Sequence, residues 1–292
     1  MTSSRDLLAI DRLSIAYFGL TGIVALVFGG LSGAGVAGAH AVIVFAITRL
    51  AAWRPRRGLG GVVRAAWPAL LTPALYAELA VLNRFFTERY FDATVQRWDA
   101  LIFGAQPSVE LSALLPWVAL SEVLHLGYFF YYAIIPIALL GVYRTRGFEA
   151  LHRAALAVTA AFFVCYLIFI FFPVAGPRYE FARIGGDIGE GTLYRLVHGI
   201  LESGSSKGTA FPSSHIAASL AAIIAAGRED PRWFRLLIVP QIALTAGTVY
   251  GRFHYGIDAL VGIVVALAIC TALRRPGTTS PSGNPQPTPG HQ

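Results

Sequence analysis

The chain has 292 residues, 55% hydrophobic and 13% charged, with a net charge of +7. Soluble domains carry about 25% charged residues, so this composition, with a mean hydropathy of +0.61, excludes a water-soluble enzyme and points to an integral membrane protein. The cations lie in short clusters between apolar runs and form no basic face, which excludes nucleic acid as a partner.

Apolar runs near the ~20 residues needed to span a bilayer predict an all-α, polytopic membrane bundle of about eight transmembrane helices. They cover residues 14–31, 38–53, 65–86, 118–143, 150–172, 213–227, 233–250 and 255–273. Residues 29–38 are rich in small side chains and predict a tight outer turn with close helix packing. The Ala37-Gly38-Ala39 string resembles a signal-peptidase site, but Asp6 and Asp11 dilute the preceding basic region and a membrane helix is the better reading. Glu78 lies within the third span, where a carboxylate pairs with a cation or, in a transporter, carries a proton. Residues 91–103 set Phe91, Val95, Trp98 and Ile102 against Asp92, Arg97 and Asp99, the pattern of a helix lying in the membrane interface. Cys165 and Cys270 sit inside apolar runs and read as packing residues. The expected division is an N-terminal hairpin over 1–64, a catalytic membrane domain over 65–275 and a disordered tail over 276–292.

Charge sets the expected orientation. Arg54, Arg56, Arg57 and Arg64 around the second and third spans, Arg144, Arg146 and Arg153 around the fourth and fifth, Arg228, Arg232 and Arg235 around the sixth and seventh, and Arg274 and Arg275 after the eighth all lie on the side of the N-terminus. The positive-inside rule makes that side cytoplasmic, as in a bacterial-type inner membrane, with both termini inside. Two histidines are then carried to the outer face. His215 closes the string Phe211-Pro212-Ser213-Ser214-His215 at the start of the sixth span, where a serine cap and free amides favour an anion. His254 lies just before the eighth span, four residues before Asp258. A carboxylate that accepts from one ring nitrogen leaves the other free to attack; an ion pair of Asp258 with Arg252 is the competing structural reading. Two histidines with a carboxylate and nearby cations are what phosphoryl transfer through a phosphohistidine needs. Glu122 and His125, one turn apart, are candidates for an acceptor pocket or a polar interhelical contact, and the aromatic residues 128–132 read as interface or packing.

The strings Pro212-Ser213-Ser214-His215 and His254-Tyr255-Gly256-Ile257-Asp258 resemble the motifs of the PAP2 superfamily, the type 2 phosphatidic acid phosphatases and their relatives. That resemblance implies a six-helix core in which His254 attacks phosphorus, Asp258 orients it, His215 is the general acid, and Arg178, Ser213 and Ser214 hold the phosphate. Two of the family's usual cations are missing, since their positions hold Phe171 and Thr248, the latter preceded by Gly247. Lys207 and Arg252 are substitutes suggested by proximity alone. The strings from Trp98 to Gly104, from Ser121 to Tyr128 and from Phe171 to Arg178 resemble the inositol phosphorylceramide synthase-like (Aur1-like) subgroup. This implies membrane lipids as partners, no cofactor and no metal, and transfer of a phospho-headgroup to a second lipid. Hydrolysis of a phosphatidic acid or polyprenyl diphosphate with water as acceptor remains open, as does a transporter or flippase built on Glu78 and Glu122.

Overall fold

Where hydrocarbon surrounds the chain, backbone amides and carbonyls have no partner but one another, and apolar runs of this length resolve into helices. The computed structural model describes residues 7–274; the predicted tail over 276–292 lies outside them. Among the described residues the protein is all-helical, with fourteen α-helices and no strand.

The N-terminal hairpin is α1 (Ala9–Phe28) and α2 (Gly30–Leu50). The outer turn expected over residues 29–38 is corrected: it shrinks to Gly29 and Gly30, and the following small residues are helical. Gly30 adopts φ +56°, and a Cβ on Gly29 would stand 2.6 Å from the Gly33 Cα, so two glycines alone reverse the chain. The third and fourth predicted spans are each broken. α3 (Gly58–Ala66) and α4 (Pro68–Phe86) meet at 42° around Trp67, and α7 (Val118–Phe129) and α8 (Tyr131–Arg146) at 46° around Phe130. Pro68 supports the first break, since it lacks the N–H that a continuous helix would use.

The centre of the bundle is α9 (Phe148–Phe171), the longest and most buried apolar helix. It packs on α12 (Ser214–Glu229), whose Ala217, Ala218, Ala221 and Ala222 are fully buried. Helix association within lipid comes from van der Waals contact, so this alanine face, which lets two backbones approach, supplies the packing energy. α13 (Pro231–Tyr250) and α14 (Gly256–Ala272) close the bundle. By length and composition α1, α2, α9 and α13 are long and apolar enough to cross a membrane, and the two bent pairs raise the number to six. α12 and α14, expected as spans, are helical but shorter. One continuous core runs from Ile10 to Cys270 and joins the hairpin to the rest. Inside it Asp11 accepts from Arg64 at 3.0 and 2.6 Å and from the Trp67 indole at 2.9 Å.

Short elements gather beside the N-termini of α12 and α14: α5 (Asp92–Phe103), α6 (Pro107–Leu114), α10 (Pro177–Glu180) and α11 (Thr192–Gly204). α5 is a helix where one was expected, but its orientation is corrected. Asp92, Val95 and Asp99 form its buried face, and Leu101 and Ile102 are exposed. The two carboxylates face inward because backbone amides from distant segments wait for them there.

Candidate active site

α12 starts where Ser213, with extended backbone, caps it and Ser213 Oγ accepts from the Ile216 amide at 3.4 Å. His215 thereby falls in the first turn. At the other motif, α13 ends at Tyr250 and the chain doubles back, with the amides of Phe253 and His254 both donating to the Thr248 carbonyl at 3.0 Å. Tyr255 then opens α14, its amide donating to Asp258 Oδ2 at 2.8 Å. The Ser213 amide donates to the Asp258 carbonyl at 3.0 Å, tying the two motifs together. The His215 and His254 rings come to rest with centroids 5.7 Å apart.

His254 is nearly fully buried. Its Nδ1 donates to the Ala210 carbonyl at 2.9 Å and lies 3.4 Å from Asp258 Oδ2. The expected partner is thus near, but a main-chain carbonyl is nearer. Asp258 spends Oδ2 on the Tyr255 amide, and its Oδ1 has no hydrogen-bond partner. With Nδ1 protonated, Nε2 carries the lone pair, and it makes no hydrogen bond among the described residues. Burial, opposed in part by the Ala210 carbonyl, pushes the pKa of His254 down to about 4. The ring is therefore neutral at physiological pH, as a nucleophile must be. His215 packs against Tyr131 at 4.4 Å between ring centroids, and its Nε2 lies 3.5 Å from the Tyr128 hydroxyl. Its Nδ1 is buried without a partner.

α5 holds this arrangement from behind. Asp99 accepts from the amides of Gly256 and Ile257 at 3.0 and 2.7 Å, capping α14 from outside the helix. Asp92 accepts from the amides of Ala175 and Gly176 at 2.9 and 2.8 Å and from the Tyr255 hydroxyl at 2.9 Å. Sequence reading set both carboxylates against the apolar residues of an interfacial helix. Their i, i+7 spacing, which places them two turns apart on the same face as Val95, was the available signal.

Both histidines line a cavity of about 510 Å³, together with Ser214 and Arg178. Arg178 Nη1 donates to the Leu201 carbonyl at 3.2 Å and to Ser205 Oγ at 3.1 Å. It is the one Arg or Lys side chain on the cavity wall among the described residues. The aromatic residues expected to be interface packing are corrected: Tyr128, Tyr131 and Tyr132 all line the cavity, because the break at Phe130 turns the start of α8 inward.

Other candidates lie elsewhere. Ser213 is fully buried as a cap. Lys207 is exposed, its ammonium 4.8 Å from the Tyr90 ring centroid and 5.2 Å from that of Tyr179. Arg252 binds the Ala182 carbonyl and Ser112 Oγ. Neither cation lines the cavity. Glu122 caps α11, accepting from Leu193 N at 3.0 Å and Tyr194 N at 3.2 Å. His125 donates to the Ser121 carbonyl at 2.7 Å and packs on Tyr194 and Phe253; neither Glu122 nor His125 lines the cavity. Glu78 bonds His40 Nε2 at 2.9 Å, which leaves neither carboxylate of the transporter reading on the cavity. Gly247 and Thr248, where the resembled motif carries serine and arginine respectively, are both closely packed. Thr248 is fully buried, and a Cβ on Gly247 would meet the Leu124 carbonyl at 2.2 Å.

A family model described as PAP2 superfamily matches residues 94–272. The match spans Asp99, Arg178, His215, His254 and Asp258 and leaves out the N-terminal hairpin. No curated protein and no solved structure matches the chain.

Proposed function

The chain belongs to the PAP2 superfamily, and from that premise we propose an integral membrane enzyme that moves a phosphoryl group from a lipid phosphate through a phosphohistidine at His254. Membership points to phosphatase or phosphotransferase activity on lipid phosphates, and several apolar helices fit a membrane protein. The observation that carries the finer reading is that His254 has Nδ1 tied to Ala210 while the ring lines the cavity, facing His215 at 5.7 Å. Arg178 and the first amides of α12 neutralise the equatorial oxygens. A bound phosphate dianion favours the protonated form of His215. His254 Nε2 attacks phosphorus in line, the bond from phosphorus to the leaving oxygen breaks, and His215 gives that oxygen its proton. The neutral His215 then takes a proton from an incoming hydroxyl, whose oxygen attacks phosphorus and frees His254.

The acceptor in this proposal is a lipid alcohol, as in the Aur1-like subgroup. A broad cavity walled by tyrosines and aliphatic side chains supports it, because such a wall favours an amphipathic alcohol over bulk water. The Arg clusters at the opposite ends of the helices support catalysis at the outer leaflet with both termini in the cytoplasm. The test uses purified protein and lipid carrying labelled phosphate. Labelled lipid product that appears only when a lipid alcohol is added supports transfer; release of inorganic phosphate at full rate without any alcohol makes the protein a phosphatase. Acid-labile label retained on the wild type and absent from His254→Ala checks the intermediate.

A further inference from the structure

Next to the catalytic cavity lies a second one of about 140 Å³. By the measure on which one water needs about 10–15 Å³, it has room for an oxyanion. Arg178, Arg183, Arg252 and His198 line it, and no carboxylate does. Three guanidiniums on one small wall repel one another unless something negative lies between them. Arg183 reaches Glu202 at 2.5 Å, but both side chains are about half exposed or more, so solvent weakens that pair. His198 is 8% exposed, and its Nε2 is buried without a hydrogen-bond partner. The Nε of Arg252 is buried and unpartnered as well. Arg252 is also the one non-glycine residue with positive φ among the described residues, at +59°, a strained backbone.

We propose that this pocket is a second anion subsite that takes a phosphoryl group. Arg178 and Tyr179 line both cavities, so the two sites share a wall. The catalytic cavity has one guanidinium, and the neighbouring pocket adds two more. Planar guanidinium forks suit a tetrahedral oxyanion, which accepts paired hydrogen bonds, and His198 Nε2, unpartnered, donates as well in the tautomer that places the ring proton there. Naming a phosphoryl group as the ligand rests on the reading of the catalytic cavity. The pocket's affinity for an anion does not.

The probe is inorganic phosphate, titrated calorimetrically into full-length His254→Ala protein in a phosphorus-free detergent, so that turnover plays no part. Adding Arg183→Gln, an exposed change, weakens phosphate binding at least tenfold with no change in unfolding temperature, and adding His198→Phe instead shifts binding the same way. Undiminished phosphate affinity in both double variants, each folded as its parent, overturns the proposal. Kinetics on Arg183→Gln with intact His254 then identify the source. A KM that rises for a lipid diphosphate and stays fixed for a lipid monophosphate assigns the pocket to a second phosphoryl group of the substrate. Unchanged KM values with weaker inhibition by inorganic phosphate assign it to the free ion. If the intact protein turns over no lipid phosphate while binding still depends on Arg183, the catalytic reading fails and the subsite stands.

Discussion

His40 and His254 are both buried, and each touches a carboxylate, but their surroundings differ. His40 Nδ1 bonds Thr21 Oγ1 at 3.1 Å and its Nε2 bonds Glu78 at 2.9 Å. Thr21 already donates its hydroxyl proton to the Tyr17 carbonyl, so its oxygen accepts from His40, and every polar atom of that ring is spent on joining α1, α2 and α4. His254 has its carboxylate farther away, at 3.4 Å, and spends only Nδ1. Contact between histidine and carboxylate therefore marks a strut as readily as a nucleophile. What separates them is a ring nitrogen left over at a cavity wall.

Four measurements press on that contrast. The largest effect is expected for His254→Ala, which lowers turnover of a lipid phosphate by at least about 10⁴-fold. His40→Ala keeps turnover within about threefold while lowering the unfolding temperature. Should His40→Ala abolish turnover in a protein that still melts cooperatively, the distinction fails. Next is His215→Gln, with a loss of about 10²- to 10⁴-fold, the range of a general acid, and the loss is smaller for substrates with good leaving groups. A loss independent of the leaving group would remove His215 from the proton transfer.

Third, Asp99→Ala frees two amides at the start of α14 and costs about 2–3 kcal/mol, the scale of hydrogen bonds to a charged group. Denaturant unfolding measures it, and a change below about 0.5 kcal/mol would mean that water replaces the carboxylate freely. The last concerns pH. His254 is held near 4 in the folded protein against about 6.5 in an unfolded chain. Between these values the unfolded chain binds a proton that the folded one does not. This contribution is fully present above about 6.5 and lost as pH falls toward 4. The unfolding temperature accordingly drops across that window, and less steeply in His254→Phe; equal slopes would show that His254 is protonated in the folded state.

The helices were legible because each rests on a local apolar run, and the pairing of His215 with His254 was legible because arginine clusters order the spans. The breaks were not: Pro68 follows the one at Trp67, but a proline inside an apolar run also fits a span that is merely kinked, and the residues after Phe130 have ordinary helical character. Asp92 and Asp99 were misplaced for a related reason. An aspartate on an amphipathic helix reads as solvated until one knows that amides more than 80 residues later in the chain fold back onto it. Arg252 was placed near phosphate by proximity, and its backbone strain and its place in the neighbouring pocket are invisible in sequence.

Ala210 gives its amide to Val174 at 3.0 Å and its carbonyl to His254 at 2.9 Å. The His254 ring is held at Nδ1 by main chain, so no side-chain substitution at position 210 removes that hydrogen-bond acceptor. Neutral drift at position 210 leaves the aim intact as long as the residue stays small, because Gly176 lies so close that a Cβ there would stand 3.0 Å from the Ala210 Cβ. Inserting or deleting one residue between Thr209 and Ser213 would swing the carbonyl away from the His254 ring with every candidate side chain still present.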